Sequence, residues 1–156
     1  MRYVSTRNNS KEYSFEDVFI KGLADDGGLY VPKSLKKYST KELLELKNLN
    51  YNELSTEIIN LYSSDFISKE ELSSLIKKSY STFREKEVIR LSNVGEIKLL
   101  ELFHGPTLAF KDVAMQIIGN LYEYYLNKND KKINIVVQLL EILAQQLLMQ
   151  LKENLI

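Results

Sequence analysis

The stretch Leu102-Phe103-His104-Gly105-Pro106-Thr107-Leu108-Ala109-Phe110-Lys111-Asp112 sets one lysine where a turn hands the chain to a helix. Gly105-Pro106 signals the turn, and the apolar run Leu108-Ala109-Phe110 leads to the amine. Such a lysine has two physical readings. It is an exposed residue at a helix start, as most lysines are, or it is a partly desolvated amine. A desolvated amine suits carbonyl chemistry, because the unprotonated nitrogen attacks an aldehyde and forms a Schiff base. The flanking groups carry similar pairs of readings. His104 is a general base or, beside a Gly-Pro turn, a structural hydrogen-bonding residue, and the second is the expectation. Asp112 is a counter-charge for Lys111 or an anion at the positive end of a helix, and again the second is expected. Gly105 and Pro106 shape the loop, and Thr107 bonds locally.

Composition narrows the classes. The chain has 156 residues, 44% hydrophobic and 27% charged, as in a globular protein able to bury a core. Its 21 basic and 21 acidic residues cancel, so nothing points to nucleic acid or an anionic membrane. With no cysteine and one histidine, neither a thiolate nucleophile nor a metal cluster is expected. Met1 to Arg7 lack the apolar core of a signal peptide, and no window has the length of a membrane span. The expected location is the cytoplasm.

The elements that must position the lysine follow from local pattern. Tyr3-Val4-Ser5-Thr6 reads as a strand, and Ser14-Phe15-Glu16-Asp17 as a helix start with Phe15, Val18 and Phe19 inward and an end near Gly22. Asp26-Gly27-Gly28 is a turn, and Leu29-Tyr30-Val31 a strand stopped by Pro32. Three helices are expected between residues 39 and 81, opened by Ser39, Asn50 and Ser68. Leu72, Leu75, Ile76 and Tyr80 form the apolar side of the last. Residues 83 to 87 are charged and mark a passage between domains. Val88-Ile89-Arg90-Leu91 and residues 97 to 102 then read as a hairpin around a turn at Asn93-Val94-Gly95-Glu96. After Lys111, apolar positions from Val113 to Tyr125 suit a helix of about four turns. Ile133-Asn134-Ile135-Val136-Val137 reads as a buried strand, which would complete a βαβ unit.

The run LFHGPTLAFKD closely resembles the cofactor-lysine motif of the threonine synthase family, pyridoxal 5'-phosphate (PLP) enzymes of the tryptophan-synthase-β structural type. A second match is the N-terminal pair STR and SFEDVFIKGLADDGGLYVP. The resemblance implies an α/β chain: a small α+β domain at residues 1–85, then the first βαβ unit of a PLP fold-type II domain at 86–137. It implies that Lys111 is catalytic and carries PLP as a Schiff base, with Phe110 packed near the cofactor. The implied reaction converts O-phospho-L-homoserine and water to L-threonine and phosphate. Thr6, Arg7 and Asp26 are expected to be structural.

Residues 138–156 depart from that resemblance. After such a strand the family carries a loop of the form A-T-S-G-D-T-G, whereas here a leucine-rich run starts at Gln138. Written in permitted codons and read two bases later, that run gives T-S-G-D-T-G-T-A-A-I-D-A-I-K-G-K. The expectation is therefore a frame shift near Val137, an out-of-frame tail, and a truncated chain without activity of its own. Two alternatives stand beside it. One is a related PLP lyase, including a phosphohomoserine phospho-lyase that releases a ketoacid. The other is a non-catalytic fragment or interaction module that uses the leucine-rich tail.

Overall fold

The computed structural model describes residues 1–134. The chain divides into two compact units, Met1–Ser74 and Leu75–Ile156.

In the first unit, β1 (Tyr3–Ser5) pairs antiparallel with β2 (Tyr30–Pro32), Tyr3 opposite Pro32 and Ser5 opposite Tyr30. All three β1 residues are buried. Pro32 is tolerated there because its partner Tyr3 exchanges backbone bonds with Tyr13 on the other side, so the missing N–H costs no bond to β1, and Lys33 N–H donates to the Arg2 carbonyl at 2.8 Å just beyond it. Helix α1 (Phe15–Lys21) opens with a reciprocal Ser14–Asp17 capping box and ends at Gly22, whose φ of 72° suits a residue without a Cβ. Phe15 stacks on Phe19 at 5.6 Å and meets Phe66 at 5.5 Å and Tyr3 at 6.2 Å, an aromatic cluster beneath the sheet. Tyr3 also donates its hydroxyl to the Tyr62 carbonyl at 2.8 Å. Helices α2 (Thr40–Leu46) and α3 (Tyr51–Ser63) start in boxes built on Ser39–Glu42 and Asn50–Glu53. Helix α4 (Lys69–Tyr80) starts on Ser68–Glu71. Its Leu72, Ile76 and Tyr80 are buried at helical spacing, as the sequence pattern requires.

In the second unit, β3 (Arg90–Val94) and β4 (Ile97–Glu101) form an antiparallel hairpin, Val94 opposite Ile97 and Arg90 opposite Glu101. Helix α5 (Asp112–Asn129) follows, with Ile117, Leu121 and Tyr125 buried and Asp130 ending it in the left-handed region. Tyr80 donates to the Val113 carbonyl at 2.9 Å, and the buried Asn120 amide donates to Ser79 at 2.8 Å.

Four sequence expectations change. Val88 is not a strand residue: it is 2% exposed with φ of 64°, and β3 begins at Arg90. The hairpin turn is the two-residue Gly95-Glu96 rather than Asn93 to Glu96, with positive φ at Gly95 alone, the pattern of a type II′ turn. Helix α5 is 18 residues, five turns rather than four. Ile133 and Asn134 belong to no strand, while 135–137 and the expected out-of-frame tail 138–156 lie outside the described residues. Among the described residues both sheets are two-stranded and antiparallel, no helix is long and apolar enough to cross a membrane, and no cluster of residues could hold a metal.

Candidate functional site

Lys111 occupies the N-cap of α5 with helical φ and ψ of −70° and −17°, and its side chain makes no capping bond. The approach is tight. Leu108 N–H donates to the Gly105 carbonyl, Asp112 N–H to Ala109 and Val113 N–H to Phe110, a series of three-residue steps that wind into the helix. Leu108 takes φ of 64°, a strained conformation for a leucine. The Lys111 backbone is fixed from the helix side, because its carbonyl accepts from both Ala114 and Met115. Its Nζ lies 5.8 Å from the centre of the Phe110 ring. Lys111 forms no ion pair among the described residues.

What holds this approach is Asp112. Its side chain is fully buried. One carboxylate oxygen accepts the Thr107 backbone N–H and the other the Thr107 hydroxyl, both at 2.8 Å. The carboxylate therefore clasps the loop five residues back rather than pairing with Lys111. Gly105 is obligatory beneath it, since a Cβ there would lie 2.4 Å from the Asp112 Cβ. The expectation for Thr107 holds in its local bond. Sequence reading gave Asp112 a dipole role and missed the clasp. The Gly-x-Thr spacing before a helix-opening Asp was the available signal.

His104 makes the local hydrogen bond that a structural histidine would. Its Nε2 meets the Glu101 carboxylate at 2.8 Å, and its ring lies 4.7 Å from that of Phe103. Hydrogen bonds from the Ser92 hydroxyl and then from His104 hold the Glu101 carboxyl below its ordinary range. Arg84 N–H donates to the His104 carbonyl, fixing the strand exit that leads to the motif.

Phe110 is 63% exposed, and Phe103 and Leu108 are each about half exposed. The lysine thus stands at an open apolar rim. An aldehyde cofactor bearing a phosphate needs an amine, an anion cradle and cover for its ring. The amine is present and in no ion pair among the described residues. At the start of α5, a natural anion site, the helix carries its own carboxylate, Asp112, which is bonded to Thr107. Lys111 therefore fits the attachment role, and the described residues beside it supply neither cradle nor cover.

Thr6, Arg7 and Asp26 belong to the first unit and form a knot of their own. Asp26 accepts from the Ser5 hydroxyl at 2.8 Å and Gly28 N–H at 2.9 Å. Leu29 N–H donates to the Thr6 hydroxyl, and Arg7 donates to the Asp26 carbonyl. A Cβ on Gly28 would sit 2.3 Å from Ser5 Oγ, so Asp-Gly-Gly is a packing requirement as well as a turn.

Comparison with known proteins gives a consistent result. The family described as "Threonine synthase N terminus" matches residues 2–80. Threonine synthase of Schizosaccharomyces pombe is 42% identical over 130 residues, covering 82% of this chain and 25% of its own length. Among solved structures, PLP-bound threonine synthase from Brucella melitensis superposes with a TM-score of 0.80 at 34% identity, over 85% of this chain and 29% of that one. Threonine synthase from yeast gives 0.79 at 41% identity, over 85% and 28%. The chain thus spans about a quarter of the length of the relatives it matches.

Proposed function

The chain belongs to the threonine synthase family, and on that premise we propose that Lys111 is the amine to which PLP attaches. The observation that carries this reading is Lys111 at the α5 entry, without an ion pair among the described residues and on a backbone held by the Thr107–Asp112 clasp, in a chain that superposes on a PLP-bound relative. Residues 1–85 form the small domain, 86–137 begin the PLP domain and 138–156 are an out-of-frame tail. The substrate is O-phospho-L-homoserine, the products are L-threonine and phosphate, and the setting is the cytoplasm.

Bound PLP supplies an electron sink that lets phosphate leave from the γ-carbon and water add at the β-carbon. Lys111 has two tasks in this reading. Its Nζ holds the cofactor aldehyde, and once displaced by the substrate amine it moves protons at the substrate carbons. Phe110 contributes an apolar wall beside the amine. The Asp112 clasp fixes the backbone from which Lys111 projects. The open rim around Phe110 among the described residues supports the reading that this chain has no activity of its own.

A chimera tests the assignment. Residues 1–137 replace the matching region of yeast threonine synthase, so that the rest of the site is present. The expected product shows the long-wavelength PLP band and forms threonine, and Lys111→Ala abolishes both. A band that survives Lys111→Ala refutes the assignment. The 156-residue chain mixed with PLP is expected to show no stable band, and sequencing the gene around Val137 tests the frame.

A further inference from the structure

We propose that Glu101 is a positioning residue for Lys111: bonded to His104, its carboxylate ties the lysine loop to the β3–β4 hairpin. The cofactor half of this rests on the reading of Lys111 as the attachment amine. The link is built from one carboxylate at the end of β4. His104 Nε2 meets it at 2.8 Å from the loop, and the Ser92 hydroxyl donates to it from β3. The register explains the second bond. Arg90 faces Glu101, so Ser92 is the diagonal neighbour on the same face of the hairpin. The Glu101 and His104 side chains are 15% and 12% exposed, so neither is a freely solvated surface group.

The loop depends on that link at one end. Its downstream shoulder, Thr107, is bonded to Asp112 and so belongs to α5. Its upstream shoulder is His104, reached through the half-exposed Phe103. There the bond to Glu101 and the bond from the Arg84 N–H hold the chain. The Gly105-Pro106 turn is thus bonded to a carboxylate on either side, one set on the hairpin and the other on the helix. Lys111 projects from the helix side, so Glu101 sets where the amine stands relative to the strands that lead into the motif. A reacting group loses rate steeply when it is displaced by even an ångström or so, and a bond made away from the amine therefore reaches the chemistry.

Two variants test it. Glu101→Ala removes both bonds, whereas Glu101→Gln keeps an oxygen that accepts and gains an amide that donates, so it restores them without the charge. In the 156-residue chain without PLP, amide exchange is followed at Thr107 and Leu108, whose N–H groups donate to Asp112 and to the Gly105 carbonyl. The expected result is exchange about fivefold faster in Glu101→Ala and within about twofold of the parent in Glu101→Gln, with the buried Leu121 of α5 unchanged. His104 is the chain's one histidine, so its imidazole resonances are read without ambiguity and shift in Glu101→Ala. In the chimera with yeast threonine synthase, Glu101→Ala lowers kcat about tenfold with KM within about twofold, and Glu101→Gln restores most of it. Unchanged exchange at Thr107 and Leu108, an equal change at Leu121, an unchanged kcat, or Glu101→Gln as damaging as Glu101→Ala overturns the proposal. A chimera whose PLP band survives Lys111→Ala counts instead against the attachment reading, and exchange in the free chain still decides the link.

Discussion

The described residues form two small antiparallel sheets, and they differ in what lies against them. The β1–β2 sheet buries Tyr3, Val4 and Ser5 over an aromatic cluster and is locked at its end by the Asp26 knot. The β3–β4 hairpin is longer, with five paired residues on each strand and a well-formed turn, yet its leucines face water. Ladder hydrogen bonds are common to both, so pairing does not distinguish them. A two-stranded ladder alone is marginal, and cover decides its stability. Among the described residues, β1 and β2 therefore have buried side chains and aromatic neighbours beneath them, whereas β3 and β4 are held chiefly by their own pairing.

The largest expected effect contrasts two glycines. Gly28→Ala drives a methyl into Ser5 Oγ and is expected to cost about 3 kcal/mol, seen as a lower urea midpoint. Gly95→Ala meets nothing within 4 Å and costs only the left-handed backbone, about 1 kcal/mol. Equal losses would break the comparison. Next, Val4→Ala removes buried methyl groups and is expected to cost about 1.5 kcal/mol. Leu91→Ala, at a 60% exposed position, is expected to stay within about 0.5 kcal/mol. Tyr3→Phe loses the bond to Tyr62 and about 1 kcal/mol.

Tyr3 also gives the first sheet an alkaline signature. Burial first, then the charge of Asp65 and the neighbouring Tyr62, pushes its phenol from 10.0 up to about 12. The native state then holds a proton that the unfolded chain releases, so stability is full below 10.0 and falls as pH rises toward about 12. Tyr3→Phe removes that slope in urea titrations at alkaline pH. The smallest effect is acid-side. Gly28 N–H and then the Ser5 hydroxyl hold Asp26 below its usual 3.8. Its contribution is present above 3.8 and lost as pH falls through the lowered value, and Asp26→Asn should flatten that loss.

Much of this was legible where the causes are local. Ser14, Ser39, Asn50 and Ser68 announce helices because a cap and its partner lie three residues apart. The helix after Lys111 has no side-chain cap and was legible from its apolar spacing, and the lysine motif from its resemblance to a known family. Val88 was misread because β-branching favours strands, whereas its burial holds it at positive φ. The Asp112 clasp escaped because an acidic residue at a helix start has a sufficient dipole explanation, and only burial reveals the bonds to Thr107. The bare hairpin was invisible for a different reason: apolar alternation says which side chains need cover, and says nothing of whether cover is present.

Native-state amide exchange of the 156-residue chain tests the central contrast most directly. The account predicts that the amides of Tyr3–Ser5, Tyr30 and Val31 exchange at the slow rate of global unfolding, while those of Arg90–Val94 and Ile97–Glu101 exchange much faster through local opening. Equal protection of the two sheets would contradict it.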